Sequence, residues 1–65
     1  MEVYVNGQRV ILFKGAKVKH ALLKADESLY HLARAGKVVI RDQEGNLVDW
    51  NGRADEGFHY DVKPR

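Results

Sequence analysis

Three histidines, a single serine and two groups of acids are the residues of this 65-residue chain with the chemistry to catalyse or to hold a metal. On a continuous helix His20 and His31 would point the same way, but their eleven-residue spacing sets them about 16 Å apart along the axis, too far to share an ion. His59 alternates with Phe58 and Tyr60 and reads as a solvent-side strand residue. Ser28 sits in a helix turn with no base positioned beside it, so no nucleophile is activated. Asp42 with Glu44, and Asp55-Glu56, fall in turns, where acids are favoured by local backbone hydrogen bonds. The glycines are scattered at turn positions without phosphate-loop spacing. No residue is therefore assigned to catalysis, to a cofactor or to a metal, and the chain is expected not to be an enzyme.

Two groups remain as candidate binding residues. Lys14, Lys17, Lys19 and Lys24, with His20 among them, could meet phosphates of RNA or an anionic surface, or could be no more than a solvated helix face. From Met1 to Ala25 five basic residues oppose Glu2 alone, whereas the remainder has eight acids against six bases, so one end of the fold is locally basic. No aromatic residue interrupts the lysines to provide a stacking platform for single-stranded nucleic acid. The second group, Tyr4, Arg9, Ile11, Phe13 and His59, follows from a hairpin register.

Asn6-Gly7 favours a type I′ turn, because both central residues need positive φ. With these two as the turn, Val5 faces Gln8, Tyr4 faces Arg9, Val3 faces Val10 and Glu2 faces Ile11. Met1, Val3, Val5, Val10 and Leu12 then share one face, and Tyr4, Ile11 and Phe13 the other. An apolar group on the outer face, with His59 and Val39 beside it and Arg9 and Asp61 at its rim, suits a protein partner or a neighbouring domain.

The remaining elements must position these groups. Val18, Leu22, Ala25, Leu29 and Leu32 form a stripe at helical spacing, ended by Gly36. Asp26 could continue that helix or cap a second one, and two short pieces or one kinked helix are favoured. Val38–Arg41 and Leu47–Trp50 flank a second turn, Phe58–Val62 alternates as a last strand, and Pro64 is expected to stop it. The fold expected is α+β, a ββαβββ mixed sheet with the helical segment on one face and the last strand parallel to the first, as in the ubiquitin-like β-grasp.

The residues support that expectation by likeness. Val3-Tyr4-Val5-Asn6-Gly7-Gln8-Arg9-Val10, then Lys14-Gly15-Ala16-Lys17-Val18-Lys19-His20-Ala21-Leu22, resembles the opening hairpin and helix start of the ThiS/MoaD sulfur-carrier and TGS branch of β-grasp domains. Asn51-Gly52, Glu56-Gly57 and the strand ending at Val62 resemble its closing turn and strand. The resemblance implies the fold. Sulfur carriers close in a flexible Gly-Gly and this chain reads Lys63-Pro64-Arg65, so carrier chemistry is not carried over, leaving a carrier relative without its reactive tail as an alternative.

With 45% hydrophobic and 31% charged residues the composition is that of a globular domain. Cysteine is absent, so neither a disulfide nor a thiolate zinc site can supplement a core that buries only ~60% of the unfolded surface. One domain over residues 1–65, monomeric and cytoplasmic, is expected, since no apolar run approaches the ~20 residues of a membrane span and no signal peptide opens the chain.

Overall fold

The first hairpin forms in the register that Asn6-Gly7 demands. In the computed structural model, which describes residues 1–65, β1 (Glu2–Val5) pairs antiparallel with β2 (Gln8–Ile11) through Glu2 with Ile11, Val3 with Val10, Tyr4 with Arg9 and Val5 with Gln8. Asn6 and Gly7 both take positive φ, 49° and 83°. Alternation then sends Val3, Val5 and Val10 into the core and leaves Arg9 and Ile11 outside.

The helical segment is two helices, α1 (Val18–Ala25) and α2 (Glu27–Arg34), and Asp26 is the reason. Its backbone is extended; its N–H closes α1 on the Leu22 carbonyl at 2.9 Å, and its carboxylate accepts from the Ser28 N–H at 3.0 Å and the Ser28 hydroxyl at 2.8 Å. One residue thus ends one helix and caps the next. On α2 Leu29, Tyr30 and Ala33 pack against the core, while Leu32, expected on the buried stripe, stays 39% exposed. At the far end Lys37 N–H reaches the Leu32 carbonyl and Gly36 N–H the Ala33 carbonyl, a Schellman cap made possible by the Gly36 φ of 73°.

β3 (Val38–Arg41) pairs antiparallel with β4 (His59–Pro64), and β4 lies parallel to β1, giving a mixed sheet of order β2-β1-β4-β3 with both helices on one face. This is a small α+β fold compatible with a β-grasp, but its order is ββααββ. The strand expected over Leu47–Trp50 is reduced to one bridge, between Arg41 and Leu47.

The chain there serves α1 instead. Lys17, at the N-cap, has no side-chain acceptor to offer, and the first free N–H groups of α1 are taken by backbone from this loop: Val18 donates to the Gly52 carbonyl and Lys19 to the Trp50 carbonyl, both at 2.8 Å. An apolar groove of about 350 Å³ is left along the β3 edge, with Val38, Leu47 and Trp50 among its walls. β4 begins at His59 rather than Phe58 and runs past the expected Val62 to end at Pro64, which pairs with Val38, a place a residue without an N–H tolerates.

The core is a single cluster of thirteen buried side chains, with Leu22, Val3, Val5 and Val18 its largest fully enclosed members. Its one hydroxyl is satisfied, since Tyr60 accepts the Asp55 N–H at 3.0 Å.

Candidate protein-binding surface

The helices cover one face of the sheet and leave the other open. Strand alternation places Glu2 and Tyr4 of β1, Arg9 and Ile11 of β2, Val39 and Arg41 of β3, and His59 and Asp61 of β4 on the open side. Tyr4 and His59 are direct partners across the two central strands, and their rings stack with centroids 4.3 Å apart and planes 11° from parallel. One polar contact reaches the stack and another anchors the strand beneath it. The Tyr4 hydroxyl donates to Glu2 Oε1 at 3.4 Å, and the His59 backbone N–H donates to Gln43 Oε1 at 3.0 Å.

Glu2 is the hub of this face. Its carboxylate accepts from Arg9 Nε in an ion pair and its backbone N–H donates to the Glu56 carboxylate at 2.7 Å. The hydrogen bond from Arg9, reinforced by the guanidinium charge and the Tyr4 hydroxyl, holds the Glu2 carboxyl below its ordinary range, and the same pair raises Arg9. Ile11, opposite Glu2, is 46% exposed. The expected apolar group is therefore a mixed one, an aromatic stack and an aliphatic side chain divided by an ion pair.

Phe13 is not part of it. β2 ends at Ile11, and the turn closed by the Ala16 N–H on the Phe13 carbonyl, with Gly15 at a φ of 89°, carries the chain off the sheet. The Phe13 ring, 64% exposed, stands 5.4 Å from the His20 ring of α1 and joins Leu12, His20, Leu23 and Lys24 around a cleft of about 330 Å³.

The lysines divide as well. Lys19 and Lys24 lie ~140° apart around α1. Lys24 borders the Phe13 cleft, whereas the Lys19 ammonium sits 5.4 Å from the centre of the Trp50 ring, a cation–π contact with an aromatic residue distant in sequence. Lys14 and Lys17 are exposed in the turn between Phe13 and His20. His20 itself helps to close the helix start. Its Nδ1 accepts the Lys17 backbone N–H at 2.9 Å, which leaves the proton of a neutral ring on Nε2. His31 lies on α2, 3.4 Å from Glu27, so the three histidines sit on three different elements.

Sequence reasoning passed over Glu2 and Leu23. Both had a signal: Glu2 is the diagonal neighbour of Arg9 in the hairpin register, and Leu23 is a leucine off the buried stripe. Gln43, which acts through a loop, had none. Comparison with family models, with curated proteins and with solved structures finds no match to this chain.

Proposed function

We propose that the chain is a noncatalytic interaction module of β-grasp type that binds another protein or a neighbouring domain through the open face of its sheet, with Tyr4, Arg9, Ile11 and His59 as the contact residues. The observation that carries this reading is the Tyr4–His59 stack on the two central strands of a face no helix covers. Non-obligate interfaces are enriched in tyrosine and arginine and are no more apolar than the surrounding surface, which suits an aromatic pair beside an Arg–Glu ion pair. Rigidity adds to the case, because the stack itself and the Glu2 contact to the Tyr4 hydroxyl order the rings before any partner arrives, and less side-chain entropy is lost on binding. The parallel β1–β4 pair between two antiparallel pairs, with helices on one side, supports the β-grasp assignment.

The test is capture of partners from cells that make the protein, comparing the native chain with Ile11→Asp and with Tyr4→Ala. Both side chains lie outside the core, so the thermal midpoint should hold within a few degrees, about 5 °C, while capture is lost. Capture that survives both substitutions overturns the assignment.

A further inference from the structure

The cleft beside α1 is a second surface, built from different residues. Leu12 forms its floor, Phe13 and Leu23 are 64% and 45% exposed on its walls, and no acid lines it. Lys24 stands at its edge, and Lys14 and Lys17 occupy the turn joining Phe13 to His20. None of these lysines has an internal counter-ion: the ion pairs of the molecule are Arg9 with Glu2, His31 with Glu27 and Lys63 with Asp61. The nearest acids along the chain are engaged, Asp26 by Ser28 and Glu27 by His31. A concave apolar opening edged by the unpaired Lys24, with the unpaired Lys14 and Lys17 in the turn that leads into it, suits a ligand both apolar and negative.

We propose that this cleft binds an acidic segment of a partner protein, one large apolar side chain entering between Phe13 and Leu23 while carboxylates on either side of it meet Lys14, Lys17 and Lys24. Charge complementarity selects the sign of the partner. Shape selects its class: the exposed Phe13 and Leu23 are walls of a depression floored by the buried Leu12, which admits a side chain from a partner and has the size of a small ligand-binding cleft, from about 300 Å³ upward. An anionic bilayer, which apolar side chains enter, is the alternative that vesicles test. His20 gives the cleft a firm wall, since its ring is tied to the Lys17 backbone and packs on Phe13.

The probe is a fluorescein-labelled peptide of about ten residues, acidic throughout except for a central Phe-Leu pair, followed by fluorescence anisotropy and by amide resonance shifts of the full chain. Saturable binding with a Kd of about 10 to 100 μM is expected, weakening about tenfold between about 0.05 and about 0.3 M salt. Shifts should centre on Phe13, His20, Leu23 and Lys24. Leu23→Ser and Lys24→Glu, both on exposed side chains, should each weaken binding about fivefold or more with an unchanged thermal midpoint. Four results overturn the proposal: no saturable binding; equal binding of a peptide whose Phe-Leu pair is Ser-Ser, which would be charge attraction alone; binding to phosphatidylglycerol vesicles in place of the peptide; and a dimer of this chain that Leu23→Ser dissolves.

Discussion

Asn6 does two jobs with one side chain. It adopts the positive φ of the hairpin turn, and its amide continues the parallel β1–β4 ladder past the end of β1, Nδ2 donating to the Val62 carbonyl at 3.3 Å and Oδ1 accepting the Val62 N–H at 2.8 Å. Asn6→Gly keeps the turn and loses the clamp, and should cost about 1 to 2 kcal/mol in urea denaturation; Asn6→Ala should cost about 1 kcal/mol more, for a left-handed backbone without glycine or asparagine. Single residues also set the pH response. Ser28, by its hydroxyl and its N–H, holds the Asp26 carboxyl below its ordinary value, as Arg9 does that of Glu2. The stability these two contribute is complete above the ordinary carboxylate pKa of about 4 and fades as pH falls through their lower folded values. At the alkaline end, burial pushes the Tyr60 phenol up. That contribution is complete below about pH 10 and is lost as pH rises through the folded value. Thermal melts across pH should show both flanks, with Asp26→Asn flattening the acidic one and Tyr60→Phe the alkaline one.

Among the elements, α1 depends most on distant chain. Its N-terminus is closed from two sides, by His20 accepting the Lys17 N–H and by the Gly52 and Trp50 carbonyls accepting from Val18 and Lys19. Trp50 is half-buried, its ring 5.5 Å from that of Tyr30 on α2 and under the Lys19 ammonium. One residue therefore ties the cap of α1 to the face of α2. Trp50→Ala should cost about 2 kcal/mol by loss of half a large side chain's burial, and amide exchange should quicken at Val18 and Lys19 ahead of the rest of α1. Uniform quickening, or none, would show that the loop does not hold the helix start.

For the whole molecule the margin is narrow, because a domain of this size is stabilised by only about 3 to 10 kcal/mol. Leu22 is fully buried where α1 meets the sheet. Leu22→Ala should cost about 3 kcal/mol, lowering the thermal midpoint by about 15 °C in a circular-dichroism melt. The exposed Leu23, one position along, should tolerate substitution, and the contrast checks the orientation of the helix. No helix of the chain is long and apolar enough to cross a membrane.

What could be read from the sequence were features set by neighbours a few residues apart. Asn6-Gly7 determined the hairpin and its register, since that turn geometry admits few other residues, and alternation then determined which side chains of the two strands are buried. Gly36 marked a helix end because capping is a local hydrogen-bond requirement, whereas Asp26 left open whether the helix continued or a second one began. The tertiary structure decided the rest. Leu47–Trp50 has the composition of a strand but only a bridge's worth of pairing, and the chain from its end turns the Trp50 and Gly52 carbonyls to the open N–H groups of α1. Leu32 continues the helical stripe but stays 39% exposed, the packed side of α2 being that of Leu29, Ala33 and Tyr30, whose ring lies against Trp50. Phe13 has the parity of Tyr4 and Ile11 but lies against His20, because the strand ends before it. The open sheet face could be read from the hairpin register, but the place of Glu2 at its centre and the cleft that joins Phe13 to Leu23 depend on contacts between elements, which local patterns do not specify.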